Sequence, residues 1–198
     1  MVVMFWLVLL VLLWGSVHSL LASLKAKELF LGWFGTKVMR FYRLFYNVLA
    51  VLSFIPVLVI AALTNSRTLY VVPFPWSGLM VLGEILAVAG LVIGFLQTNA
   101  WEFLGLRQLG ESDGPSQLQT SGLYRYVRHP LYATGLAFIW LFPLMTYNLL
   151  AFNVALTIYI LIGASFEERK LRREFGKEYI DYSAVTPMLV PFIIRKRT

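Results

Sequence analysis

Long apolar runs alternate with short polar segments along this chain of 198 residues. Several runs reach the roughly 20 residues that a helix needs to cross a bilayer. The pattern predicts an all-α, polytopic membrane bundle. Only "YN" separates the last two runs, which predicts a tight antiparallel hairpin. We predict about five transmembrane helices, numbered as spans one to five, at Val3–Ser23, Phe41–Leu63, Ser77–Thr98, Pro130–Thr146 and Leu149–Phe166.

A second periodicity follows the last span. One apolar stripe recurs at helical spacing in an otherwise charged segment, so we predict a C-terminal amphipathic helix over 164–182. A tail containing Pro187 and Pro191 follows, and we expect it to lie back across the bundle. The stripe consists of Leu171, Phe175, Tyr179 and Tyr182.

The charges orient the predicted bundle. All 17 basic residues except Arg67 lie between span one and the first turn of span two, in the segment before span four, or after span five. The positive-inside rule makes those segments cytoplasmic, with the N-terminus outside and the C-terminus inside. The net charge of +7 is thus a topology signal that favours membrane lipids as partners and not nucleic acid. All acidic residues except Glu84 lie on the same side, so we expect any chemistry at the cytoplasmic face.

Composition narrows the chemistry further. The chain is 59% hydrophobic and has no cysteine, which excludes disulfides, thiolate metal sites and a cysteine nucleophile. With two histidines it offers no His-rich metal site, and we predict no metal. No GxGxxG, P-loop, GxSxG or HExxH motif is present. Any cofactor must therefore be held by the bundle itself.

The stretch "SGLYRYVRHPLYATG" concentrates polar chemistry at the start of span four. Arg125, Arg128 and His129 precede Pro130, which occupies a first-turn position where its missing N–H costs nothing. Arginine suits a carboxylate or phosphate, and a helix N-terminus favours anions. The segment is therefore either an anion-binding site or a basic, aromatic membrane anchor, since these residue types are common at membrane interfaces.

Two adjacent carboxylates follow span five in "ASFEERKLRREFGKEYIDY". Glu167 and Glu168 lie at the end of a span, where the helix dipole disfavours negative charge. They require a cationic partner, which is either Arg125 or Arg128, or a bound cation.

Together, "GLYRYVRHPLYATG", "EERKLRREFGKEYIDY" and "TPMLVP" resemble the isoprenylcysteine carboxyl methyltransferase and phospholipid methyltransferase superfamily. The resemblance covers roughly half the chain, with two motifs in the correct order and spacing. Shorter pieces, "VHSLLAS", "RFYRLFYN" and "WEFLGLRQL", resemble the branch that contains methanethiol S-methyltransferase and the NnrU-like proteins.

The resemblance implies a membrane enzyme that uses S-adenosylmethionine. We expect one integral membrane domain over 1–198, with N-terminal spans in 1–98 and a cofactor-binding methyltransferase core in 99–198. His129 and the adjoining backbone would hold the cofactor carboxylate, and the paired glutamates would face its ammonium or ribose. Arg128 and Arg107 would act at the acceptor. The cofactor-binding residues so implied are Tyr124, Arg125, His129, Pro130, Tyr132, Glu167 and Glu168.

The acceptor implied by the resemblance is a lipophilic or small thiol or carboxyl compound, methylated at the cytosolic face of a prokaryotic inner membrane. Two alternatives remain open: an NADPH-dependent enzyme similar to sterol reductases, and a non-enzymatic accessory protein similar to the NnrU-like proteins. The first alternative needs extra basic residues for the 2′-phosphate of NADPH. The sequence leaves the oligomeric state open.

Overall fold

The computed structural model of the chain describes residues 2–98 and 117–191. Within these ranges it contains six α-helices, two short strands that pair with each other and one 3-10 helix at Gly122–Arg125. The strands are β1 (Thr68–Val71) and β2 (Leu144–Thr146). The helices are α1 (Val2–Ala22), α2 (Leu24–Met39), α3 (Tyr42–Leu63), α4 (Trp76–Gln97), α5 (Pro130–Trp140) and α6 (Tyr147–Val185).

The chain divides into two compact units. The first contains α1, α2, α3 and the beginning of α6. Its apolar core is drawn from three helices that each offer small or branched side chains on one face. Trp14 adds a hydrogen bond from Nε1 to the Ala50 carbonyl at 3.0 Å, which ties α1 to α3. The core residues are Leu7, Val11, Val57, Ala61, Phe152 and Ala155.

The second unit contains α4, the 3-10 helix, α5 and the remainder of α6. Glycines on α4 let α5 approach closely. A Cβ at Gly90 would lie 2.6 Å from Thr134 Cγ2, and one at Gly83 would lie 2.7 Å from Leu141 Cδ1. Small residues allow this kind of close packing between membrane helices. The contact fixes α5, and with it the polar residues at its N-terminus.

Four of the described helices are long and apolar enough to cross a membrane: α1, α3, α4 and α6. Many large apolar side chains on them are exposed, such as Leu63, Leu86 and Leu96. Exposure on this scale suits contact with lipid better than contact with water. The predicted all-α membrane fold is confirmed, and the chain is an integral membrane protein. The count of five spans and the orientation stay predictions.

The fourth predicted span is shorter than expected. Helix α5 ends at Trp140 after 11 residues, which correspond to about 16 Å of helix, and the membrane core is about 30 Å thick. Pro143 explains the end, since the residue before a proline is disfavoured in the α conformation. Strand β2 then occupies Leu144–Thr146. The two-residue "YN" connection is therefore wrong, because Tyr147 and Asn148 begin α6, and residues 141–146, which include β2, join the two helices.

Helix α2 was not predicted, because its mixed composition matches neither a span nor a simple loop. Ser23 begins it as an N-cap whose hydroxyl accepts a hydrogen bond from the Ala26 N–H at 3.2 Å. The helix breaks at Gly35, where φ is 73°.

Helix α6 also breaks at a glycine, inside the predicted amphipathic helix. Gly176 has φ 53° and ψ −123°, a conformation that side chains disfavour. The apolar stripe therefore continues across a kink. Beyond the kink, Tyr179 is buried, with 1% of its surface exposed.

This break gives a testable prediction. Gly176→Ala should lower the free energy of unfolding by about 1–3 kcal/mol because of backbone strain. Gly163→Ala lies in a regular part of the same helix, where no atom of the described residues is within 4 Å of the added Cβ, and should leave the free energy of unfolding unchanged or raise it by up to about 1 kcal/mol. Thermal unfolding in detergent measures both. Equal stability of the two variants would contradict the strain.

Candidate functional site

The 3-10 helix and the segment Arg128–Pro130 that follows it are positioned by the end of α4. Gln97 Oε1 accepts a hydrogen bond from the Leu123 N–H at 2.8 Å, which fixes the 3-10 helix. The Gln97 side chain lies directly against Gly122, whose φ of 64° suits glycine. The chain then turns through Arg128 and His129 into α5, with Pro130 buried at its first turn.

Glu168 lies at the centre of a buried polar cluster, with 7% of its surface exposed. Arg128 grips it with two donors: Nε to Oε1 at 2.7 Å and Nη2 to Oε2 at 2.9 Å. His129 Nε2 lies 3.0 Å from Oε1, and the Tyr179 hydroxyl donates to the same oxygen at 2.7 Å. A buried carboxylate needs such partners. Arg172 Nη2 also lies 3.8 Å from Oε2. Because Glu168 is already held by these side chains, it acts as an internal anchor.

Most of the hydrogen-bond donors of the Arg128 side chain are also used inside the protein. Its Nη1 donates to the Ser183 carbonyl at 3.2 Å and also to the Thr186 carbonyl. Burial opposes the charge of Arg128, but the hydrogen bonds and the charge of Glu168 outweigh burial and raise the pKa of the guanidinium. Four of its five N–H donors are thus used inside the protein.

The first residues of the C-terminal tail contact the segment that precedes α5, whereas its course across the bundle stays a prediction. The Arg128 N–H donates to the Pro187 carbonyl at 2.9 Å, and the His129 N–H donates to the Met188 carbonyl at 3.1 Å. The Tyr182 hydroxyl also donates to the Tyr124 carbonyl at 2.5 Å. The backbone N–H groups of Arg128 and His129 are therefore engaged by the tail.

Glu167 is placed differently from its neighbour. Its side chain is 43% exposed, and the Tyr132 hydroxyl donates to its Oε2 at 2.8 Å. His129 Nδ1 lies 3.7 Å from the same oxygen, and the His129 ring stacks on Tyr132. Burial, followed by the charge of Glu167, raises the pKa of Tyr124 to about 12. The cluster thus presents one accessible carboxylate beside two tyrosines.

The structure brings together Tyr124, Arg128, His129, Pro130, Tyr132, Glu167 and Glu168. Arg125 is exposed on the 3-10 helix, outside this network. Arg107 lies outside the described residues. Of the alternatives left open by the sequence, the partner of Glu168 is Arg128. The roles of these residues toward any ligand stay predictions.

Sequence reasoning missed three contributors to the cluster. Tyr179 was recognised only as part of an apolar stripe, although its hydroxyl reaches Glu168. The carbonyls of Ser183 and Thr186 carry no signal in their side chains. The available clue for Tyr179 was its position on the same predicted helix, 11 residues or about three turns after Glu168.

Tyr179→Phe tests whether the hydrogen bonds to the buried Glu168 carboxylate stabilise the fold. The change removes one hydrogen bond to a buried carboxylate and keeps the ring, so it should lower the free energy of unfolding by about 1.5–3 kcal/mol. Tyr126→Phe is the control. Tyr126 is 58% exposed, so the loss of its hydroxyl should lower the free energy of unfolding by less than about 0.5 kcal/mol. Thermal unfolding of both proteins in detergent gives the comparison. Identical melting curves would show that the hydroxyl contributes nothing.

These features define a helical membrane protein. Its polar site is formed by the N-terminus of the short helix α5 and by the charged part of the long helix α6. The family model described as phospholipid methyltransferase matches residues 78–178, which include most of this site. The chain belongs to that family.

Several curated relatives are similar over part of the chain. A methanethiol S-methyltransferase of Crocosphaera subtropica is 35% identical, over 61% of this chain and 52% of that protein. Methanethiol S-methyltransferase 2 of Bradyrhizobium diazoefficiens is 40% identical, over 54% of this chain and 45% of the relative. Protein-S-isoprenylcysteine O-methyltransferase B of Arabidopsis thaliana is 28% identical, over 58% of this chain and 57% of the relative. The matches cover about half the length of these relatives. No solved structure matches the chain significantly.

Proposed function

We propose that the chain is a membrane methyltransferase that transfers a methyl group from S-adenosylmethionine to a small or lipophilic thiol. The reaction takes place at the cytosolic face of a prokaryotic inner membrane. The observation that carries the proposal is the contrast between the two glutamates. Glu168 is saturated and buried, whereas Glu167 is held by Tyr132 with nearly half of its side chain accessible.

The residues present fit the charges of the cofactor. S-adenosylmethionine supplies a methyl group activated by a sulfonium, and it also carries an ammonium and a carboxylate. Glu167 would bind the ammonium or the ribose hydroxyls, while Tyr124 and Tyr132 would form walls for the apolar parts. The exposed guanidinium of Arg125 is the available cation for the carboxylate.

The positioning residues are Arg128, His129 and Glu168. Arg128 and His129 contact Glu168, and the tail carbonyls hold the backbone of both. His129 also lies between the two glutamates, so it fixes the side chain that faces the ligand. Methyl transfer is an in-line displacement in which orientation and exclusion of water supply much of the rate. The hydrogen-bonded cluster around Glu168 would hold the neighbouring Glu167 carboxylate in a fixed orientation, which suits that requirement. All of these residues lie in the proposed core, 99–198.

The state of Arg128 favours a thiol as the acceptor. A carboxyl acceptor needs a free cation, and Arg128 was one of two candidates predicted for this role. Its donors are already given to Glu168 and to the carbonyls of Ser183 and Thr186, so it has little capacity left for an acceptor carboxylate. Arg107 remains the candidate if the acceptor carries a carboxylate. The names of the bacterial relatives support a thiol.

Calorimetry on the purified protein in detergent tests the cofactor. We expect S-adenosylhomocysteine to bind and NADPH not to bind. Binding of NADPH alone would replace the proposal with a reductase. Binding of neither would support a non-enzymatic accessory protein. Prior thermal unfolding establishes that the sample is folded.

A further inference from the structure

His129 lies between two carboxylates that face opposite nitrogens of its ring. Nε2 is 3.0 Å from Glu168 Oε1, and Nδ1 is 3.7 Å from Glu167 Oε2. Only 5% of the surface of His129 is exposed, so the protein groups around the ring decide which of its nitrogens carry a proton. The two carboxylates are therefore the main influence on the imidazole.

The hydrogen bond to Glu168 defines the role of Nε2. Glu168 is paired with the Arg128 guanidinium at 2.7 Å and is therefore an ionised carboxylate. A carboxylate only accepts hydrogen bonds, so Nε2 carries a proton and donates it. In a neutral imidazole, Nδ1 would then present a lone pair to the negative charge of Glu167. A proton on Nδ1 replaces this repulsion with an ion pair.

The remaining polar groups that face His129 come from three parts of the described chain. Arg128 and Tyr179 both donate to the buried carboxylate, and the Tyr132 ring stacks on the imidazole with centroids 5.4 Å apart. The tail contributes the Met188 carbonyl, which accepts the backbone N–H of His129 and carries no charge. Phenols titrate at about pH 10 and guanidinium groups higher still, so the imidazole is the member of this set that titrates nearest to neutral pH.

The Glu167 carboxylate is also the group to which the proposed function assigns the ammonium of the cofactor. Its side chain is 43% exposed, and its Oε2 is the oxygen that faces Nδ1 and accepts the Tyr132 hydroxyl. A positive charge close to a second positive charge disfavours the charged form of both groups. An ammonium bound to Glu167 and a proton on Nδ1 therefore oppose each other.

We propose that the Nδ1 proton of His129 and the ammonium of S-adenosylmethionine compete for Glu167, so that binding of the cofactor releases a proton. This competition rests on the proposed function, which supplies the cofactor. The proton leaves Nδ1 for the solvent, while Nε2 keeps its proton and its hydrogen bond to Glu168. Because a bound cation disfavours the imidazolium, the affinity for the cofactor increases as the pH rises and the imidazole loses its second proton.

Calorimetry with S-adenosylhomocysteine tests the competition, since this compound carries the ammonium and lacks the sulfonium. Titrations in buffers of different ionisation enthalpy give the number of protons released on binding. We expect a release of about half a proton or more at about pH 6, and binding about three- to tenfold tighter at about pH 7.5 than at about pH 5.5.

Three variants separate the competition from a structural role of the histidine. His18→Gln removes the other histidine of the chain and should release as many protons as the parent. His129→Gln keeps a donor for Glu168 and cannot titrate, so its affinity should be the same at both pH values. Glu167→Gln removes the charge for which the two cations compete, so it should bind weakly and release no proton.

Nitrogen NMR observes the proton directly. In the His18→Gln protein, His129 is the single histidine, so isotope-labelled histidine gives its signals alone. At about pH 6 we expect a mostly doubly protonated ring in the ligand-free protein, and loss of the Nδ1 proton when S-adenosylhomocysteine is added. A neutral ring in the ligand-free protein, or binding without proton release, overturns the competition and leaves the proposed function standing. A folded protein that does not bind S-adenosylhomocysteine contradicts the proposed function and the competition with it.

Discussion

Replacing Glu168 by glutamine will lower the free energy of unfolding by about 3–5 kcal/mol, the cost of breaking a buried ion pair from one side. Arg128 would keep its charge with only carbonyls as partners, and His129 and Tyr179 would lose a charged acceptor. For a chain of this size the change corresponds to a drop in melting temperature of roughly 10 °C. Thermal unfolding in detergent, followed by near-UV circular dichroism, measures it.

Glu178→Gln is the matched control for this experiment. Glu178 is exposed on the same helix, so the same chemical change should alter stability by less than about 0.5 kcal/mol. Because Arg128 and Glu168 touch, the double variant Arg128→Ala/Glu168→Gln should cost less than the sum of the two single changes. Additive effects, or a Glu168→Gln protein as stable as the parent, would show that the cluster does not anchor the site.

Replacing Glu167 by glutamine should have the opposite profile, with a large effect on binding and a small effect on folding. Removing a charged partner costs about 1.5–3 kcal/mol of interaction, which corresponds to roughly 10- to 150-fold weaker binding of S-adenosylhomocysteine. The hydrogen bond from Tyr132 survives, because the glutamine oxygen still accepts it. Calorimetry gives the affinity, and thermal unfolding should stay within about 0.5 kcal/mol of the parent.

The comparison of the two adjacent glutamates is informative because the same change is made one residue apart. If Glu167→Gln binds S-adenosylhomocysteine as tightly as the parent, the accessible carboxylate is not part of the cofactor site. If instead Glu167→Gln unfolds as readily as Glu168→Gln, both residues serve the structure, and the basis for the proposed function is removed.

The long apolar helices could be predicted closely because their signal is local. The starts of α1, α3 and α4 lie within one residue of the predicted spans. Helix α5 was overestimated, since the apolar run continues through Pro143 while the helix ends at Trp140. Helix α2 and the kink at Gly176 depend on caps and on single backbone conformations, which hydropathy does not report.

The site was predictable as a set of residues but not as a network. The motifs named Arg128, His129 and both glutamates, and the structure brings them together. Which glutamate is buried depends on the rotation of α6 about its axis, which adjacent positions in the sequence do not define. The contacts of the tail carbonyls with Arg128 are equally invisible, because any residue supplies a carbonyl.

The most direct test of the central claim is methyl transfer itself. The purified protein is given S-adenosylmethionine with a labelled methyl group, together with either a short alkyl thiol or a prenylcysteine analogue. The account predicts a volatile labelled thioether from the thiol, strongly reduced in Glu167→Gln and retained in Glu178→Gln. A base-labile methyl ester formed from the prenylcysteine analogue alone would contradict the thiol as acceptor. No labelled product from either acceptor, in a folded protein that binds S-adenosylhomocysteine, would contradict the proposed activity.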